Sequence, residues 1–263
     1  MSCQFRIVDF NYVWQPATRI TATTEDSSFP ADNLKNYSRS YPFRTTADDD
    51  QGIVIDLMTA EEVDTFAIIF DPTVGSKLTP AATVTLQGSA TNSWGSPGYS
   101  QAVTFDEDYQ VYSLFLNTAQ EYRYWRVLID DPNNAYGYIE VPKIILGKAT
   151  QLTRCPEIAF NIEYADKSTV KVTDYGHAYG DVYPTLSNLD ISYKVMPDDD
   201  LEQLRQSFDL VGKTTPILAC LDTDAELFDK DRFIIYGRID GNIKAKHQVR
   251  GLFDSSLSIS EVI

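Results

Sequence analysis

Apolar residues along the first half of the chain fall at every second position, in short runs separated by turn formers. The clearest run is Tyr122–Gly147. Trp125, Val127 and Ile129 form one face of an extended segment, with Tyr124, Arg126 and Leu128 on the other, the pattern of a half-buried strand. The turn-rich loop DDPNNAYG follows, and then IEVPKIILG, where Ile139, Val141 and Ile144 predict a return strand that Pro142 interrupts. The same alternation predicts strands over Gln4–Trp14, Arg19–Thr24, Ile53–Leu57, Val63–Phe70, Ala82–Gln87, Ala102–Phe105 and Val111–Leu116. MTAEE after Leu57 reads as a turn. SSFPADNLKNYSRSYPFRTT reads as a long ordered loop plugged by Phe29, Leu34 and Phe43. About eight or nine strands at this spacing, with no helical period, mark an all-β sandwich or barrel.

The pattern restarts after residues 148–156. Strands are expected at Ile158–Tyr164, Thr169–Thr173 and Leu189–Val195. Leu201, Leu204, Phe208 and Val211 then repeat at helical spacing. Asp198–Asp200 would cap that helix and favour its positive end, with Gly212 just past its last turn. Strands over Ile217–Leu221, Phe233–Ile239 and Leu257–Val262 complete the chain. Two domains are therefore expected, residues 1–150 and 151–263, meeting near Thr153. The last strand, LSISEV, reads as an unpaired edge through which copies would associate.

Composition narrows the function. Of 263 residues, 43% are hydrophobic, enough for a sizeable core, and 12% are aromatic, which favours β structure. The net charge is −16, and 19 of the 38 acidic residues lie in residues 1–150, so both halves are acidic and neither ends in an acidic tail. Such a chain does not track a phosphate backbone or an anionic membrane, so no nucleic acid and no membrane insertion are expected. Cys3, Cys155 and Cys220 are too few and too scattered for a disulfide framework and read as reduced thiols. The opening MSCQFRIVDFNYVW lacks a basic region followed by a long apolar run, so neither a secretion signal nor a spanning segment is expected, and folding is placed in a reducing cytoplasm.

Catalytic chemistry has little to stand on. His177, in DYGHAYGD, and His247 are the only histidines, and no nucleophile elbow, phosphate loop or metalloprotease motif occurs. The chain is expected not to be an enzyme and to need no cofactor. Trp94 and Tyr99, in one Gly/Ser-rich loop, and Tyr136 and Tyr138, in DDPNNAYG, are the candidate ligand contacts. Exposed aromatics there stack on a sugar or anchor a protein, or else cover the ends of the core.

Several motifs taken together resemble the galactose-binding-like jelly roll, the discoidin or coagulation-factor C type. They are FPADNL, the aromatic–Arg–Thr step Phe43–Arg44–Thr45, IVIDL, VDTFAII, VTLQGS, YRYWRVLI and IEVPKIILG. Phe43 stands where members often carry Trp, and Met58 where they often carry Gly. The resemblance covers roughly residues 1–150. It implies a jelly-roll β-sandwich, a loop-end site to which Arg44 belongs, and a structural calcium held near Asp32, Asn33 and Glu140. The C-terminal order of helix, ILACL, FIIYGRI and SLSISEV resembles domains of bacteriophage tail tip or baseplate proteins of the distal-tail type. That resemblance implies a structural virion protein, assembled in the host cytoplasm, homo-oligomeric, bound to other tail proteins and in contact with a host surface glycan. The alternative is a stand-alone carbohydrate-binding module. The overall expectation is a mainly β chain, a jelly roll followed by a smaller β domain with one amphipathic helix.

Overall fold

The computed structural model describes residues 5–71, 74–106, 111–153, 160–221, 223 and 233–262. Cys3, Cys155, Gln4 and the start of the strand expected at Ile158–Tyr164 lie outside these. Strand β1 (Arg6–Val8) is shorter than the alternation predicts, because Asn11 accepts a bond from Val13 N and caps a 3-10 turn at Tyr12–Trp14. β2 (Arg19–Ala22) leads into the long loop, which contains one 3-10 turn, Ala31–Lys35, and then β3 (Phe43–Arg44). β4 (Gln51–Ile69), β5 (Thr83–Ser89), β6 (Tyr99–Asp106) and β7 (Val111–Asp130) follow. Then come β8 (Glu140–Val141), β9 (Lys143–Gly147) and β10 (Thr150–Gln151), with Pro142 between β8 and β9.

MTAEE does not end a strand. β4 runs through it, and its ladder with β7 slips there, from Asp56 opposite Tyr124 to Glu61 opposite Tyr122. Met58 takes φ +70 inside this irregularity. The turn formers are thus used as a bulge that bends the strand, not as a hairpin. The first half of β4 pairs with β2 and the end of β7; its second half pairs with β9 and the start of β7. The bent pair carries one ladder into both layers of a β-sandwich. Ile53, Ile55, Leu86, Trp125, Val127 and Ile129 meet Phe66, Ile68, Tyr112, Ile144 and Leu146 in its core.

The C-terminal half adds β11 (Asn161–Asp166), β12 (Thr169–Val172), β13 (Ala178–Asp181), β14 (Thr185–Pro197), α1 (Asp198–Val211), β15 (Ile217–Cys220), β16 (Ile234–Val249) and β17 (Leu252–Glu261). Seven strands form one antiparallel sheet in the order β10-β1-β15-β16-β17-β14-β11. β1, expected in the sandwich, lies here between β10 and β15. β17, expected at an edge, is flanked by β14 and β16; the edges are β10 and β11. Leu204 and Val211 of α1 are buried on one face of this sheet, with Ile7, Ile217, Ala219 and Ile259. The capping differs from expectation. Pro197 occupies the N-cap position, and Asp200 is turned inward, fully buried, accepting from Thr153 N at 3.0 Å and Thr153 Oγ1 at 2.8 Å. No helix among the described residues is long and apolar enough to cross a membrane.

Strict alternation places the two sheets together. Phe66 and Ile68 point into the sandwich, while Ala67 and Ile69 point outward to meet Val8, Leu218 and Tyr236. Strands buried on both faces read as unbroken apolar runs, which is why AIIF and ILAC carry no polar partner face.

Candidate functional site

The loops at one end of the sandwich assemble an aromatic and charged cluster. β3 pairs with β8, setting Arg44 opposite Glu140, and Arg44 N donates to Phe29 O, which brings Phe29 alongside. Arg44 Nε and Nη2 reach Glu140 Oε2 at 3.0 and 2.6 Å, and Lys77 Nζ reaches Oε1 at 2.6 Å. The guanidinium lies between two rings, 4.0 Å from the Phe29 centroid and 4.3 Å from that of Tyr138. At these distances the ring faces attract the cation electrostatically. Tyr136 lies 5.8 Å from Tyr138, with 59% of its surface exposed.

The loop that presents these tyrosines is fastened from below. Buried Asp131 accepts from Thr79, Asn134 Nδ2 donates to Asp131 Oδ2 and Lys77 O, and Asn134 Oδ1 accepts from Tyr136 N. Gly137, at φ +67, makes the turn between Tyr136 and Tyr138. Lys77 and the two tyrosines are thus positioned by one buried carboxylate–amide pair.

Trp94 and Tyr99 do not join them. Thr83, at the start of β5, faces Asp130, and Ser89, at its end, faces Tyr124. The loop after Ser89 therefore leaves the sheet at the end opposite the loop after Asp130, about 20 Å away at ~3.4 Å per residue. Trp94 donates to Asn92 and lies with its ring 4.7 Å from the Arg126 guanidinium, whose Nε donates to Gln87. Partial burial holds the Arg126 pKa below its ordinary value. Tyr99 serves the core: its ring meets Trp125 edge-on at 6.0 Å, and burial pushes its phenol up.

The residues implied as calcium ligands are not brought together as a set. Asp32 is 75% exposed at its side chain and pairs with Lys35 at 3.1 Å. The Asn33 amide donates to Pro42 O, and its backbone carbonyl accepts from Lys143 Nζ at 3.1 Å. Each oxygen of Glu140 already faces a cation. Calcium takes six or more oxygens, and the fully buried amino group of Lys143 occupies one of the carbonyls on offer. Among the described residues no group of three or more His, Cys, Asp or Glu stands close enough to hold a metal.

No known family model matches the sequence, and no curated protein does. Solved structures do. A carbohydrate-binding module of Clostridium perfringens, CpGH89CBM32-5, in complex with GalNAc-β-1,3-galactose, matches at a TM-score of 0.41 and 14% identity, covering 52% of this chain and 99% of that one. The family 32 module of C. perfringens NanJ, in complex with galactose, matches at 0.42 and 13%, over 55% and 99%. The lectin domain of lectinolysin, complexed with Lewis B antigen, matches at 0.43 and 13%, over 54% and 98%.

Phe29 and Lys77 belong to the cluster, though nothing in their local sequence marks them. Phe29 reads as a loop plug, and Lys77 as a solvated lysine. Only the buried tie of Asn134 to Lys77 O brings the latter under Tyr138.

Proposed function

We propose that the chain is a non-catalytic glycan-binding protein and that Tyr136, Tyr138, Arg44, Lys77 and Glu140 form its ligand site. The observation that carries this reading is the exposed Tyr136 ring beside the Tyr138–Arg44–Phe29 stack. A sugar presents a C–H face to a flat ring and hydroxyls to its rim. Here the ring is Tyr136, and the rim supplies donors from Arg44 and Lys77 and an acceptor from Glu140. Binding costs little when the partners are already held in place, and this cluster is held by Asp131 and Asn134.

A glycan array followed by titration of the strongest ligand tests it. The intact chain should bind, Tyr136→Ala should weaken binding about tenfold or more (~1.4 kcal/mol), and Trp94→Ala, at the far end, should leave it unchanged. A chain that binds no glycan on the array, or whose binding survives Tyr136→Ala and fails with Trp94→Ala, would remove the assignment.

A second reading, a structural part of a phage tail tip that is carried in the virion, rests on the resemblance of the C-terminal half. One observation favours it: β12 and β13 form a ribbon whose residues are all exposed among the described residues, a surface suited to assembly.

A further inference from the structure

Trp125 and Val127 point into the core of the sandwich, so Arg126 between them points outward from β7. The register sets it in a row across that outer face, with Val54 and Thr21 on one side and Gln87 and Ser100 on the other. The row holds no other charge. The guanidinium is held in place. Its Nε donates to Gln87 Oε1 at 2.7 Å, and largely buried Gln87 is fixed in turn by donating Nε2 to Ser100 Oγ at 3.4 Å. The Trp94 ring lies 4.7 Å from the cation. Gly52 leaves room for the stem, since a Cβ there would come 3.2 Å from Arg126 Cδ.

What this guanidinium lacks is an anion. Among the described residues, four arginines donate Nε to a side chain. Arg44, Arg123 and Arg205 each give it to a carboxylate, that of Glu140, Asp56 or Glu202, and the same carboxylate also accepts from a terminal nitrogen. Such paired bonds are how an arginine and a carboxylate complete each other. Arg126 gives its Nε to a neutral amide instead. Neither of its terminal nitrogens meets an acceptor among the described residues, and neither is a buried orphan, so both reach solvent. Asp50 acts on the cation through its charge alone, with no ion pair. A chain with 38 acidic and 22 basic residues has carboxylates to spare, yet none is placed here.

The geometry points to a second ligand site on this face, where the two terminal nitrogens of Arg126 receive the carboxylate of an acidic sugar, a single uronic acid unit of a glycan. The planar guanidinium matches a carboxylate in shape and in donor spacing. One cation answers one carboxylate, and a net charge of −16 disfavours a polyanion. Around the cation stand the partly exposed Trp94 ring, which suits the C–H face of a sugar, and the hydroxyls of exposed Thr21 and Ser100. An acidic protein side chain would use the guanidinium but brings no saturated ring to Trp94. The inference rests on the reading of the chain as a glycan binder, but on none of the residues of the Tyr136 cluster.

Calorimetric titration of the full chain tests it. The probe is a short glucan whose terminal unit is oxidised to glucuronate, with the unoxidised glucan as its neutral twin. The intact chain should bind the oxidised glucan about tenfold or more tightly than the twin (~1.4 kcal/mol). Arg126→Gln should abolish that preference. Arg126→Lys, which keeps the charge and loses the planar donors, should remove most of it. Arg250→Gln, which removes an exposed arginine next to β16, should leave it intact. Circular dichroism checks that each variant is folded; should Arg126→Gln unfold, Arg126→Lys decides. No preference in the intact chain, a preference that survives in the folded Arg126 variants, or a glutamate peptide bound as tightly as the oxidised glucan would overturn the proposal. Arg126→Gln should leave the binding of an uncharged glycan at the Tyr136 cluster unchanged, so the two sites fail separately.

Discussion

Arg39 and Glu261 form an ion pair at 3.1 Å across the junction of the two sheets, one from the long N-terminal loop and one from the last strand. Arg39 is almost wholly buried. It also donates to Phe70 O at 3.1 Å and to Val262 O, and lies 5.7 Å over the Tyr236 ring, while Tyr236 donates its hydroxyl to Tyr37 O. Glu261 spends its other oxygen on Ser187 N. Breaking a buried pair strands a charge and costs about 3–5 kcal/mol. Arg39→Ala should therefore lower the urea midpoint sharply, and Glu261→Gln, which keeps the shape, should lower it less. An Arg39→Ala midpoint equal to that of the intact chain would show that the clamp holds nothing.

Trp125 has no exposed surface, meets Tyr99 and Tyr122 edge-on, and donates Nε1 to Tyr122 O. Trp125→Ala should cost about 3–5 kcal/mol. Chemical denaturation reads this directly, and an unchanged midpoint would contradict its place in the core.

Lys143 gives a pH signature. Burial pushes its pKa from 10.5 down to about 7. Between those values the unfolded chain holds the proton and the folded chain does not, so stability should rise with pH across that window. Below pH 7 both states carry the charge and the full burial cost remains. Near pH 10 the trend should reverse, because burial raises Tyr12 to about 12, and Tyr112 too, so that the unfolded chain releases those protons first. Lys143→Met should be more stable at neutral pH and flatten the rise between 7 and 10. Unfolding midpoints over that range decide it; a slope that survives in the variant would trace it to another group.

Met58 holds φ +70, a region where a Cβ costs about 1 kcal/mol. Met58→Gly should therefore gain only a few tenths of a kcal/mol, roughly 0–0.6, because the greater freedom of the unfolded glycine offsets about 0.4–1 kcal/mol of the relieved strain. A loss in the thermal midpoint would mean that the Met58 side chain contributes more than its backbone strain costs.

These residues also show where sequence reading works. Trp125, Val127 and Ile129 announce their strand because only one of its faces is buried, and alternation reports that contrast. Period two gives a face and not a neighbour, however. Nothing in Ile7 or Leu257 tells which strand lies beside it, so β1 falls in the unexpected sheet and β17 falls inside it. The loop position of Tyr136 and Tyr138 is legible from the Asn/Gly-rich sequence around them. Tyr99 is not, since an aromatic at a strand end looks the same whether it faces a ligand or Trp125. The clustering of Arg44 with Lys77 depends on Asp131 and Asn134, whose roles arise only once two loops have met. Val170 and Val172 alternate as a buried strand would, and alternation alone does not reveal that their apolar side stays open.

The placement of β1 bears on how the chain is made. Arg6–Val8 pairs with Leu218–Cys220 on one side and with Thr150–Gln151 on the other. At about 5–20 residues per second, synthesis of the intervening chain takes on the order of ten to forty seconds. For that time β1 lacks its β15 partner, and a nascent chain with a half-paired apolar strand is open to chaperones and to its neighbours. The seven-stranded sheet, which joins β1 to β15, β16 and β17, closes only once those strands have been made, so its completion should be the slow step of refolding, as expected where contacts join distant parts of a chain.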